Sequence, residues 1–220
     1  MTEATKVDGR YSPTKEVKMV FPNLFEPKAV MKNGKPRGEP KYGARILVTN
    51  AEDIAAIKKK AVEVARAKWP GVDLKTLRFP FSDGAKEAEK SKTKGKDGSF
   101  YGDATTLVVT ARSKYQPRLS VYQGPKAAPQ ELDGPSLAAA KNKFYSGAIV
   151  LPQWNFVAYD PVEEGDKAGV TAYLDQVMWI KDGTRIGAPS AADAFKHYQG
   201  SVSAEDPTGG AGELDDEIPF

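Results

Sequence analysis

The residues suited to bond-making chemistry are few. Among 220 residues there is one histidine, His197, and no cysteine. A thiol nucleophile, a cysteine-ligated zinc or iron–sulfur site and a multi-histidine metal site are therefore excluded. His197 lies near the end of a short amphipathic stretch with no nucleophile or acid at a motif spacing, so a structural or surface role is expected. Glu163-Glu164 stands before Gly165 in a polar stretch and reads as a solvated turn. Gly95-Lys96 is followed by Asp97, not by the Ser or Thr that a phosphate-cradling loop needs next. No catalytic residue, metal ligand or cofactor is assigned. A nucleic-acid enzyme using scattered carboxylates and a divalent metal stays open as an alternative.

Charge is more informative. Lys and Arg total 32 and Asp and Glu 29, a net of only +3. Residues 201–220 hold Glu205, Asp206, Glu213, Asp215, Asp216 and Glu217 and no cation. Taking those six from the 29 leaves 32 basic residues against 23 acidic ones in residues 1–200, a net of +9 on the body and −6 on the tail. A basic body suits a polyanion, and an acidic tail suits a basic partner. Apolar runs fall far short of a membrane span, and Met1 to Arg10 lacks the apolar stretch of a signal peptide. A cytoplasmic location without a membrane partner is expected.

The elements that position these charges follow from periodicity. Glu16 to Phe21 alternates, with Val17, Met19 and Phe21 on one face, and Tyr42 to Thr49 alternates again, with Tyr42, Ala44, Ile46 and Val48 on one face and Arg45 and Leu47 on the other. Pro22, Pro27 and Lys32 to Pro36 punctuate the interval between them. Asn50 caps one strong helix, Ala51 to Lys68, whose stripe is Ile54, Ile57, Ala61, Val64 and Ala65, and Pro70-Gly71 stops it. Ser82 to Gly98 carries Lys86, Lys90, Lys92, Lys94 and Lys96 and almost nothing apolar, which predicts a mobile loop. Thr105 to Ser113 and Arg118 to Gln123 read as a hairpin with Leu107, Val109, Ala111, Leu119 and Val121 inward. Ser136 to Lys143 and Ala191 to Tyr198 read as short helices, and Phe144 to Leu151, Asn155 to Tyr159 and Gly169 to Lys181 as strands. The fold class is mainly β with one substantial helix. Many short strands at close spacing fit a small Greek-key barrel with extra hairpins and long loops. Residues 1–200 form one domain, and 201–220, rich in Gly, Ser and acids, read as a disordered tail.

The tip, Asp215-Asp216-Glu217-Ile218-Pro219-Phe220, resembles the C-terminal tip of bacterial single-stranded-DNA-binding proteins, usually Asp-Asp-Asp-Ile-Pro-Phe; Glu217 keeps the charge. In that family the tip docks on basic, apolar pockets of replication, repair and recombination proteins. Phe220 would be the aromatic anchor, the acids the steering charge and Pro219 the entropy saver. The body's layout resembles phage-encoded single-stranded-DNA-binding proteins, through Tyr42 to Val48 and the helix after it, Phe144-Tyr145-Ser146-Gly147 to Pro152, and Gly169 to Leu174. The resemblance implies an oligonucleotide-binding (OB) fold and a role in phage DNA replication or recombination in the host cytoplasm.

Binding a single strand without regard to sequence needs cations for phosphates and aromatic faces for bases. The aromatics that matter stand beside a cation on the non-core side of a strand. Tyr122 shares that side with Arg118; Arg112 and Lys114 extend the patch, and Tyr115 sits at the turn. Phe100 and Tyr101 follow the Lys-rich segment with Lys94 and Lys96. Phe79 and Phe81 follow Arg78, and Lys41, Tyr42 and Arg45 begin the second strand. Single-stranded DNA is the expected partner, with double-stranded DNA open because a basic groove attracts any phosphate backbone. An adaptor that recruits replication proteins through its tail without touching DNA is the other alternative.

Overall fold

Alternation predicts separate short strands near both ends of the first fifty residues, but the backbone runs through the prolines between them. The computed structural model describes residues 7–32, 35–161 and 166–187. The expected helix at 191–198, His197, Glu163-Glu164 and the acidic tail lie outside the described residues. In chain order the elements are β1 (Arg10–Tyr11), β2 (Val17–Lys32), β3 (Lys35–Val48), α1 (Ala51–Lys68), β4 (Phe81–Asp83), α2 (Gly84–Lys92), β5 (Leu107–Ser113), β6 (Arg118–Val121), β7 (Gln130–Glu131), α3 (Gly134–Ala139), β8 (Ile149–Tyr159) and β9 (Gly169–Lys181). β2 absorbs Pro22 and Pro27 through register shifts against β3 between Val20 and Asn23 and between Asn23 and Lys28. Proline, which cannot donate to a ladder, is tolerated in a sheet at such bulges.

Five strands close on themselves in the order β2-β3-β5-β9-β8 and back to β2. The β5–β9 contact is parallel and the other four are antiparallel. This is the Greek-key barrel expected from the strand spacing, with the topology of an OB fold. β1 adds to β8, β4 to β5, and β6 with β7 to the outside of β9.

The barrel interior holds Met19, Ile46, Val109, Val150, Trp154, Ala172 and Leu174, joined by Ile57, Ala61, Val64 and Ala65 of α1. The helix keeps its predicted limits. The Asn50 side chain accepts the Asp53 N–H at 2.9 Å, a cap worth about 1 kcal/mol. Asp53 itself is buried and accepts from the Tyr11 hydroxyl and from the Thr14 N–H and hydroxyl at 2.8–3.0 Å, tying the segment before β2 to the start of α1.

The strands expected over Phe144 to Leu151 and Asn155 to Tyr159 are one, β8, which starts only at Ile149. Two more expectations fail for identifiable reasons. Residues 82–98 are not a bare loop. α2 occupies Gly84 to Lys92, capped by the Asp83 side chain, which accepts the Lys86 N–H at 2.8 Å. It is a polar helix whose one deeply buried side chain is a carboxylate, Glu87, so it shows no apolar stripe. β5 and β6 are not a hairpin either. Each pairs in parallel with β9, and no ladder joins them. Leu107, Val109, Ala111, Leu119 and Val121 are buried as predicted. Val108 is buried too, because it joins Val20, Leu47 and Tyr101 in a second cluster with Ala88 of α2 packed against it.

Candidate nucleic-acid interface

The outer side of the β3–β5 pair is the floor of a groove of about 800 Å³. α2 and the segment after it form one wall, and the β2 bulge with residues 144–146 forms the other. Register brings two arginines together on the floor. Arg45 faces Thr110 and Arg112 faces Gly43, so the guanidinium-bearing residues are diagonal neighbours on one sheet face. Gly43 is required there. A Cβ on it would lie 2.4 Å from the Ala111 carbonyl oxygen and 3.0 Å from Arg112 Cγ. Lys28 from β2, Lys90 of α2, and Lys94 and Lys96 after it complete six cations, against Glu87 as the one carboxylate lining the groove among the described residues.

Glu87 anchors the helical wall to the floor. Its carboxylate accepts Arg45 Nη1 at 3.0 Å, Lys90 Nζ at 2.7 Å and the Ser82 hydroxyl at 2.9 Å. Desolvation pushes this carboxyl upward, but the hydrogen bonds from Lys90 and Ser82 and the charges of Arg45 and Lys90 outweigh it and hold it below its ordinary value. Arg45 also donates to the Tyr101 hydroxyl. Arg112 has no such partner among the described residues. Desolvation, and then the like charge of Arg45, lower its guanidinium from the ordinary value, and it stays cationic.

The aromatic face of the groove comes from a residue that parity assigns to the core. Phe21 is 51% exposed, with φ at 50°, the one described non-glycine residue in the left-handed region. The register break after Val20 turns it out of the barrel. Its N–H donates to Ser146 Oγ at 2.7 Å, and its ring meets Phe100 edge-on with centroids 5.6 Å apart. Backbone in this region costs about 1–3 kcal/mol and persists only where its surroundings fix it. Tyr145, on the same wall, is held by hydrogen bonds to Asp182 and Gly183 and is covered on its ring by Arg185 at 3.9 Å.

The basic groove with its forced-out aromatic lies on the strand pair that OB barrels use for oligonucleotides. Residues 13–206 match the family model of the single-stranded-DNA-binding protein of Enterobacter phage Enc34. The chain belongs to this phage family. Two solved structures of the Enc34 protein carry the same fold at 20% identity. The one in complex with single-stranded DNA has a TM-score of 0.57 over 81% of this chain and 90% of that one. The other has a TM-score of 0.54 over 85% and 90%. No curated protein sequence matches the chain. The Enc34 family is one of binding proteins, not enzymes. Among the described residues no group of three or more His, Cys, Asp or Glu is placed to hold a metal ion, and no helix is long and apolar enough to cross a membrane.

Within this member of the Enc34 family the predicted site residues divide. Arg45, Lys94, Lys96, Tyr101 and Arg112 line the groove, although Tyr101 is buried and supports Arg45 rather than offering a face. Phe100 sits behind Phe21. Phe79 and Phe81 stack on each other at 5.4 Å and pack against the barrel core, leaving Arg78 exposed beside them. Lys41 and Tyr42 lie at the outer end of the β3–β5 ladder, where Tyr42 pairs with Ser113. Lys114 is bridged to Glu39 at 3.1 Å. Tyr115 and Arg118 open onto another cleft, and Tyr122, 37% exposed, lines neither. Asp215, Asp216, Glu217, Ile218, Pro219 and Phe220 lie outside the described residues. Sequence reasoning missed Phe21, Lys28 and Tyr145 as groove residues. For Phe21 the available signal was Pro22, since proline inside an alternating run marks a bulge that breaks the parity.

Proposed function

We propose that the chain binds single-stranded DNA without sequence preference in the groove between α2 and the β3–β5 face. Lys28, Arg45, Lys94, Lys96 and Arg112 neutralise phosphates there, and Phe21 stacks a base. The observation that carries this reading is the coexistence of a floor arginine with no carboxylate partner among the described residues, Arg112, with a half-exposed Phe21 at the same groove. Cations alone fit any polyanion. A splayed-out aromatic beside them fits a strand whose bases are free. Family membership and the fold shared with the Enc34 protein support the same reading.

In this reading the protein coats and protects single strands during phage DNA replication and recombination in the host cytoplasm. Its tip, Asp215 to Phe220, recruits replication proteins by placing Phe220 and the acidic run on a basic, apolar pocket. The decisive measurement is intrinsic fluorescence and gel mobility on titration with oligo-dT of graded length, with a duplex competitor. Binding that an Arg45→Ala/Arg112→Ala variant loses supports the groove. Equal binding of duplex and single strand, or no effect of that variant, overturns it.

A further inference from the structure

A second polar cleft, of about 580 Å³, opens where β5 ends and β6 begins. Arg112 faces the first groove. Ser113, next along β5, points to the opposite side, as strand neighbours do, and lines the second cleft. From Arg112 to Tyr115 the chain advances three residues, at most about 11 Å, so the two clefts adjoin across this short segment.

The segment is fixed rather than loose. Ser113 Oγ accepts the Tyr115 N–H at 3.2 Å, and Gln116 Nε2 donates to the Leu24 carbonyl at 3.0 Å. Yet Tyr115 is 77% exposed, the most exposed of the large apolar and aromatic side chains among the described residues. A rigid backbone that presents a bare ring is preorganised for stacking. Across the cleft stand Arg10 of β1 and Arg118 of β6, and neither forms a salt bridge among the described residues. Between them is Asp175, turned out by a bulge in β9, where Gln153 pairs with Gln176 and Trp154 with Leu174 so that Asp175 has no opposite. Both arginine charges act on its carboxyl, which desolvation raises despite them. One carboxylate near two guanidiniums leaves one positive charge uncompensated at the cleft.

We propose that this cleft is a second single-stranded-DNA subsite, in which Arg10 and Arg118 hold a phosphate and Tyr115 stacks a base, so that one strand engages the chain at two adjoining places. The proposal rests on the groove reading above, and oligonucleotide length separates the two. The full chain is titrated with oligo-dT of about 6 and about 20 nucleotides, lengths spanning the site sizes of OB folds. Tyr115→Ala, and separately Arg10→Ala/Arg118→Ala, are expected to leave the short oligonucleotide's affinity unchanged. They are expected to weaken the long one about tenfold, near the contribution of one stacked base, and to shorten the measured site size. Tyr115→Phe restores long-oligonucleotide binding, because the ring and not the hydroxyl stacks. Unchanged long-oligonucleotide affinity in both variants overturns the proposal, as does equal loss at both lengths. Failure of the groove reading looks different: there Arg45→Ala/Arg112→Ala leaves both lengths unaffected.

Discussion

Arg112 stands diagonally across the β3–β5 pair from Arg45, and of the two only Arg45 has a carboxylate partner among the described residues. The two therefore separate binding from stability. Arg112→Ala removes a groove cation that has no carboxylate partner among the described residues. It should weaken oligo-dT binding about tenfold, lower the magnitude of the log–log salt slope by about 0.7, and leave the unfolding midpoint nearly unchanged. Arg45→Ala should weaken binding and also destabilise the fold by about 1–3 kcal/mol, because Glu87 stays buried with one charged partner fewer. Fluorescence titrations across a salt series and urea unfolding of both variants test the pair. A stability loss in Arg112→Ala as large as in Arg45→Ala would remove the distinction.

Phe21 gives a reversed order of substitutions. Its φ of 50° is one that glycine adopts freely and alanine does not. Phe21→Gly should therefore be more stable than Phe21→Ala by about 1 kcal/mol, opposite to the usual order in a strand. Both should lose about 1–3 kcal/mol of single-strand affinity if the ring stacks a base. Thermal unfolding gives the first comparison and oligo-dT titration the second. An alanine variant as stable as the glycine one means the backbone relaxes there once the ring is gone.

How far the molecule was legible follows physical lines. α1 could be read to both ends because its signals are local: the Asn50 cap, a stripe at helical spacing and Pro70-Gly71. Arg45 and Arg112 were found because strand parity holds where β3 and β5 pair without a shift. Parity failed at Phe21 because the register against β3 shifts there, between Val20 and Asn23, at a positive φ. The β5–β6 hairpin was misread because both strands pair with β9, some sixty residues further on, and nothing in their own spacing distinguishes that from pairing with each other. α2 was missed because its only apolar side chains are those of Ala85 and Ala88, and the side chain it buries most deeply is a carboxylate.

Acid should loosen the fold at two identified carboxyls. For Asp53, desolvation raises the carboxyl but is outweighed by the Thr14 N–H, the Tyr11 and Thr14 hydroxyls and the Lys15 N–H, so it lies below its ordinary value. Glu87 is held below its ordinary value as well. A carboxyl depressed in the folded state contributes stability that is present above its unfolded value and is lost as pH falls through the folded one. Stability should therefore be flat near neutrality and fall on acidification below about pH 4, the ordinary carboxylate range. Asp53→Asn should cost about 3 kcal/mol at pH 7 and flatten that acid limb. In the folded state desolvation, and then Asp53 itself, push the Tyr11 hydroxyl up to about 12, so no alkaline loss from Tyr11 is expected near neutrality. Urea unfolding from pH 3 to 8 on both proteins is the check; an acid limb of equal steepness in the variant would assign it elsewhere.

The last prediction concerns the opposed charges of body and tail. The body carries +9 and residues 201–220 carry −6, so the tail is repelled by the phosphates that the groove attracts. Deleting Ser201 to Phe220 should leave the groove's cations in place while removing that repulsion. Single-strand affinity should then stay equal or rise, most at low salt, where screening is weakest. The same deletion should abolish capture of host replication proteins by the full chain, and Phe220→Ala alone should reproduce that loss without changing DNA affinity, because the anchor and the charge act separately. Oligo-dT titration at two ionic strengths, with pull-down of purified replication proteins, measures both effects. A deletion that weakens DNA binding while the domain stays folded would mean that the tail assists the groove instead of opposing its ligand.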